Sequence, residues 1–145
     1  MKKKIGYTTG VFDLFHIGHL NLLQNAKRLC DELIVGVTTD ELCLQLKGKL
    51  PVIPFSERKS IVQALRIVDQ VVPQASIDEI KDFEKYKFQR IFKGSDWKGS
   101  DKWNALESRF AEMGVEVIYF DYTETTSSSL IRTVLQKMQT EDLLK

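Results

Sequence analysis

Three observations predict an α/β fold of the Rossmann-like kind, with a central parallel five-stranded sheet flanked by helices. Short apolar runs alternate with amphipathic stretches from one end of the chain to the other. The run Leu33-Ile34-Val35-Gly36-Val37 is continuously apolar, as a parallel strand covered on both faces must be. Polar segments follow four of the runs, where ligands gather in such sheets, beyond the C-terminal strand ends. The alternation implies βαβ units with right-handed crossovers. A chain of 145 residues without an internal repeat or linker is one domain, residues 1–145.

Ile5 to Thr9 is the first strand. Ile17 to Leu29 is a helix with Leu20, Leu22, Leu23, Ala26 and Leu29 on or near one face. After the second strand, Thr38-Thr39-Asp40 supplies a cap for a short helix to about Leu46. Two prolines and a glycine make Lys47–Pro54 a loop. Ser56 is expected to cap a helix to about Arg66, with Ile61, Val62 and Leu65 inward. Gln70 to Val72 is a short strand ended by Pro73. Ser76-Ile77-Asp78-Glu79 has the spacing of a capping box and opens a helix to about Tyr86. Ile91-Phe92 is a brief strand, and Gly94 to Asp101 a loop. Trp103 to Met113 is a helix stopped by Gly114, followed by a strand from Val115 to Phe120. A serine run opens the last helix, to about Lys137, and the tail from about 138 is expected to fray.

Composition excludes several classes of function. The formal net charge is +1 with both signs interspersed, so no global field calls for nucleic acid. No run approaches the roughly 18 apolar residues of a membrane span, and no stretch resembles a signal peptide. Cys30 and Cys43 stand in no Cys-x-x-Cys pattern, and with the two histidines they fit no zinc-finger spacing. Two reduced thiols fit a cytoplasmic protein.

The chemistry concentrates in Gly10-Val11-Phe12-Asp13-Leu14-Phe15-His16-Ile17-Gly18-His19, which holds both histidines of the chain. They fall at a helix entry, where free N–H groups and the helix dipole attract an anion. Gly10 is expected to turn the chain off the strand, and Gly18 to leave room for a ligand. The pattern Gly-x-Phe-Asp-x-x-His-x-Gly-His resembles the signature of the HxGH nucleotidyltransferases. Within that superfamily the chain is similar to the short cytidylyltransferases, those acting on glycerol 3-phosphate giving the best match in length and layout. The resemblance covers residues 5 to about 135 and implies the Rossmann-like nucleotidyltransferase fold.

What the resemblance implies for the site is specific. His16, His19 and Lys47 are the expected catalytic residues, the histidines donating to the α- and β-phosphate oxygens. Thr9, Gly10, Phe12, Gly18 and Lys49 line the nucleotide site, the two lysines closing on the triphosphate. Asp13 matches the family's aspartate and is expected to hold the loop rather than act as a base. Arg58 and Arg66 match two family arginines and are expected to bind phosphate, with Arg66–Asp69 in a dimer interface. Gly94-Ser95-Asp96-Trp97 resembles the family's Gly-Asp-Asp-Trp, which places Asp96 near the nucleoside. Tyr122 to Ser129 aligns with Arg-Thr-Glu-Gly-Ile-Ser-Thr-Thr: the hydroxyls of Thr123, Ser127, Ser128 and Ser129 remain, while the leading arginine is Tyr122. Arg132 is a candidate to supply the missing charge.

The expected activity is CTP-dependent cytidylyl transfer to a small phosphorylated alcohol, glycerol 3-phosphate first, giving a CDP-alcohol and pyrophosphate. Mg²⁺ would come with CTP, carried by the triphosphate and one or two side chains, since no dedicated carboxylate cluster is visible, and the expected assembly is a homodimer. Two other readings stand beside it. One is an adenylyltransferase acting on a sugar phosphate. The other is a nucleotide-binding module without catalysis, against which the retained His16, Gly18, His19 and both loop lysines argue.

Overall fold

The computed structural model describes residues 3–122 and 127–143. Its sheet is five-stranded and parallel, in the order β3-β2-β1-β4-β5. The strands are β1 (Ile5–Gly10), β2 (Glu32–Thr38), β3 (Gln70–Gln74), β4 (Arg90–Gly94) and β5 (Glu116–Phe120). The helices are α1 (Ile17–Arg28), α2 (Asp40–Lys47), α3 (Phe55–Gln63), α4 (Glu79–Tyr86), α5 (Asp101–Glu112) and α6 (Ser128–Leu143). The strand order reverses at β1, so the crevice of a doubly wound sheet opens beside its C-terminal end, where Gly10 leads into the histidine segment.

Strand alternation builds one core on each face of the sheet. Tyr7, Ile34 and Ile91 point to one side, where Phe88, Trp103 and Phe110 meet them and α4 packs through Ile80 and Phe83. Leu33, Val35 and Phe92 point to the other, against Leu23 and Ala26 of α1 and Val62 of α3. Continuous apolar runs are thus read out two ways, one residue to each core.

Several local expectations are corrected. β3 runs through Pro73 to Gln74, because it is an edge strand and donates to one neighbour only. Pro54, not Ser56, precedes α3, which stops at Gln63 and leaves Ile61 exposed. Asp78 rather than Ser76 caps α4, accepting from the Lys81 N–H. Glu79 is not a capping-box partner either: it is buried and paired with Lys102 of α5 at 3.1 Å. α6 runs to Leu143, past the end expected near Lys137.

Candidate active site

A cavity of about 560 Å³ opens beyond the C-terminal ends of the strands. Thr9, Gly10, Phe12, His16, Gly18 and His19 line it from the β1–α1 turn. Lys47 and Lys49 reach it from the end of α2, Tyr122 from beyond β5, and Ser127, Ser128, Ser129 and Arg132 from the start of α6.

Both histidines are locked to the helix start they cap. His16 is the N-cap of α1, and its Nδ1 accepts from the Gly18 N–H at 3.0 Å. The His16 N–H donates to His19 Nδ1 at 3.2 Å, and the two rings stack with centroids 3.9 Å apart. An imidazole whose Nδ1 accepts carries its proton on Nε2 when neutral. Burial, then the neighbouring His16, lowers the His19 pKa to about 4, with Asp13 opposing. Burial lowers that of His16 as well. At neutral pH the pair is therefore two uncharged rings, each with an Nε2–H to give. Phe12 and Phe15 pack against His19 at 5.4 and 5.2 Å and fix its plane.

The turn that carries them is made by non-glycine residues. Phe12 and Leu14 hold φ of 54° and 51°, conformations that cost about 1–3 kcal/mol each and persist only when the surroundings impose them. Gly10 is needed for a different reason than expected: a Cβ there would lie 2.9 Å from the Phe12 ring. Between the two strained residues, buried Asp13 imposes the shape. Its carboxylate accepts from the Val52 N–H at 2.8 Å, the Ile53 N–H at 2.9 Å and Arg132 Nη2 at 2.7 Å. Its carbonyl accepts from Ser128 Oγ at 2.6 Å. Asp13 thus holds the loop as its position in the motif suggests, and ties the histidine turn to both the lysine segment and α6.

The cations divide. Lys47 and Lys49 are exposed on the cavity. Arg58, expected at a phosphate, is 1% exposed and outside the lining. Its Nε donates to the Ile53 carbonyl, its Nη1 to those of Val11 and Thr38, and its Nη2 to Asp40 at 2.7 Å. Those partners lie far apart in sequence and give Arg58 a bracing role. Arg66 is exposed in the turn after α3, on the side where β3 begins, at the opposite end of the sheet from the cavity. Arg132 does face the cavity, braced by Asp13.

At the β4–β5 end, Asp96 is exposed outside the lining and accepts from the Tyr122 hydroxyl at 2.6 Å. Ser127 Oγ caps α6 by accepting from the Leu130 N–H at 3.0 Å. Thr123 falls outside the described residues. Sequence reasoning missed Asn25 and Arg28, which line the cavity from α1; their signal was the polar face opposite Leu23 and Ala26.

A family model described as cytidylyltransferase-like matches residues 7–134. The glycerol-3-phosphate cytidylyltransferase of Bacillus spizizenii is 39% identical over 133 residues, 91% of this chain and 95% of that one. The protein of that name in Staphylococcus aureus is 35% identical over 136 residues, covering 93% and 96%. Among solved structures, the lipopolysaccharide core biosynthesis protein of Thermoplasma volcanium is similar with a TM-score of 0.73 at 28% identity, over 85% of this chain and 100% of that one.

Proposed function

Because this chain belongs to the cytidylyltransferase-like family, we propose that it transfers a cytidylyl group from CTP to glycerol 3-phosphate. A phosphate oxygen of the acceptor attacks the α-phosphorus in line. The new P–O bond forms as the bond to the β-phosphate breaks, and pyrophosphate leaves with the electron pair. The nucleophile is already an anion, so the reaction asks for positioning and charge stabilisation rather than a general base.

The observation that carries this reading is the hydrogen-bonding of the histidine pair. Each Nδ1 is occupied by a backbone N–H, which leaves two Nε2–H donors, fixed in advance, for the α- and β-phosphate oxygens. The α1 N-terminus adds its dipole. Lys47 and Lys49 would close on the β- and γ-phosphates, and Ser129 and Arg132 would hold the phosphates from α6. Mg²⁺ would ride on the triphosphate and neutralise part of its charge. Among the described residues no three His, Cys, Asp or Glu side chains gather into a cage, and Asp13, the acid beside the histidines, already accepts three hydrogen bonds.

The test is a pyrophosphate-release screen of CTP and ATP against a panel of phosphorylated alcohols. CTP with glycerol 3-phosphate is expected to lead, with CTP preferred over ATP by at least about a hundredfold in kcat/KM, about 2.7 kcal/mol. Faster turnover with ATP and a sugar phosphate would move the chain to adenylyl transfer. We further propose a cytoplasmic homodimer in which the exposed Arg66–Asp69 turn meets its copy; a monomer in sedimentation equilibrium would refute that arrangement.

A further inference from the structure

Phosphates and base must occupy different ends of the cavity. The histidines lie beyond β1 and the lysines beyond β2, while β4 and β5 lie on the far side of β1. A nucleotide with its phosphates on His16, His19 and the lysines therefore extends its base toward the ends of β4 and β5. Two aromatic side chains line the cavity there, Phe120 and Tyr122; Phe120 is stacked on Phe92 of the core, ring centroids 5.6 Å apart, which leaves Tyr122.

Tyr122 is 60% exposed yet held in place. Its hydroxyl donates to Asp96 Oδ1 at 2.6 Å, a short bond to a charged acceptor. Its ring lies over Gly94, where a Cβ would come within 2.8 Å of the hydroxyl and 3.0 Å of the ring carbon that bears it. Burial, then the bond to Asp96, raises the phenol's pKa to about 12, so it stays a donor at neutral pH. Among the described residues no aromatic ring or cation packs on its faces. The indole of Trp97 nearby is engaged: Lys93 Nζ sits 5.1 Å from its ring centre, and Trp97 is outside the cavity lining.

We propose that Tyr122, anchored by Asp96 over Gly94, is the platform on which the nucleobase stacks. This rests on the nucleotidyl-transfer reading above and adds a specificity-determining residue to it. Stacking on an aromatic ring tolerates any base, because every base presents a π-face. Tyr122 would therefore supply affinity, and discrimination would rest on the hydrogen-bonding groups around it, the second oxygen of Asp96 among them. A guanidinium at this position, as in the family pattern, would put a charge where this chain puts a ring face.

The test separates base from phosphate by calorimetry with CTP and with inorganic tripolyphosphate, on the wild-type protein, Tyr122→Phe and Tyr122→Leu. Tyr122→Leu is expected to weaken CTP binding by about tenfold or more and to leave tripolyphosphate within twofold. Tenfold is about 1.4 kcal/mol, inside the range for loss of one base–aromatic stack. Tyr122→Phe keeps the ring and loses its anchor, and should fall between. Equal losses for both ligands would mean that Tyr122 only supports the fold, and unchanged CTP binding would mean that no base stacks there; either overturns the proposal. Wild-type protein that binds CTP no better than tripolyphosphate would instead strike the nucleotide reading itself.

Discussion

Two sets of cations flank the histidine turn and are built in opposite ways. Arg58 is enclosed, with three carbonyls and Asp40 around its guanidinium. Lys47 and Lys49 stand exposed on either side of Gly48, the residue that ends α2 at φ 72°. Both sets are basic and both sit near the same cavity. The comparison teaches that a cation's role here is set by how much of its hydrogen-bonding capacity the fold has already used. Arg58 braces and the lysines wait.

The largest test of that contrast is Arg58→Ala. Removing this buried guanidinium leaves three carbonyls without their donor and Asp40 without its partner, a cost of about 3–5 kcal/mol that urea unfolding should show, while Lys47→Ala should stay within about 0.5 kcal/mol of wild type. If Arg58→Ala unfolds like wild type but loses nucleotide binding, Arg58 is a ligand contact and the contrast breaks. Next in size is His19→Ala, expected to lower kcat at least about a hundredfold, near 2.7 kcal/mol, with the fold retained by circular dichroism. Turnover within threefold would remove the histidines from the mechanism. Smaller again, Lys47→Ala and Lys49→Ala should each raise the KM for CTP about tenfold and abolish nucleotide protection of this segment from proteolysis. Unchanged kinetics in both would return them to ordinary surface.

The last test is one of pH. His19 has a folded pKa of about 4 against an unfolded value of 6.5. Between those values the unfolded chain binds the proton and the folded chain does not. Stability from the neutral ring is complete above pH 6.5 and is lost as pH falls toward 4. The slope of Tm against pH in that window should be shallower in His19→Gln, and an identical slope would show that the ring is not held neutral by its surroundings.

What could be read from the sequence divides along the same line. The histidine turn was legible because its logic is local: the Nδ1 acceptors and their N–H donors all lie within His16–His19. A helix cap and a phosphate donor are compatible roles for one imidazole, since each ring has two nitrogens. The parallel sheet was legible because a doubly covered strand leaves an uninterrupted apolar run. Arg58 was misread because its acceptors come from Val11, Thr38, Asp40 and Ile53, and no local pattern announces such a convergence. The positive φ of Phe12 and Leu14 was invisible for the same reason: Asp13 imposes it through partners 39, 40 and 119 residues away. Ser76 failed more simply, since α4 begins two residues later than expected and the cap moves to Asp78; Ile61 failed because the inward face of α3 runs through Arg58 and Val62, and a neighbour in sequence lies about 100° round the helix.

Pro73 gives the sheet unequal margins. Interior strands must donate to neighbours on both sides, and β3 can carry a proline because among the described residues no strand continues the sheet beyond it. That same residue deprives the open margin of a donor, so a stray strand from another molecule finds a broken template there. The opposite margin, β5, has the sequence Glu116-Val117-Ile118-Tyr119-Phe120 and no proline. During refolding at high concentration, or in a destabilised variant such as Arg58→Ala, intermolecular strand pairing would begin at β5, and a lysine substituted for an outward-facing residue of that strand would be the change that suppresses precipitation.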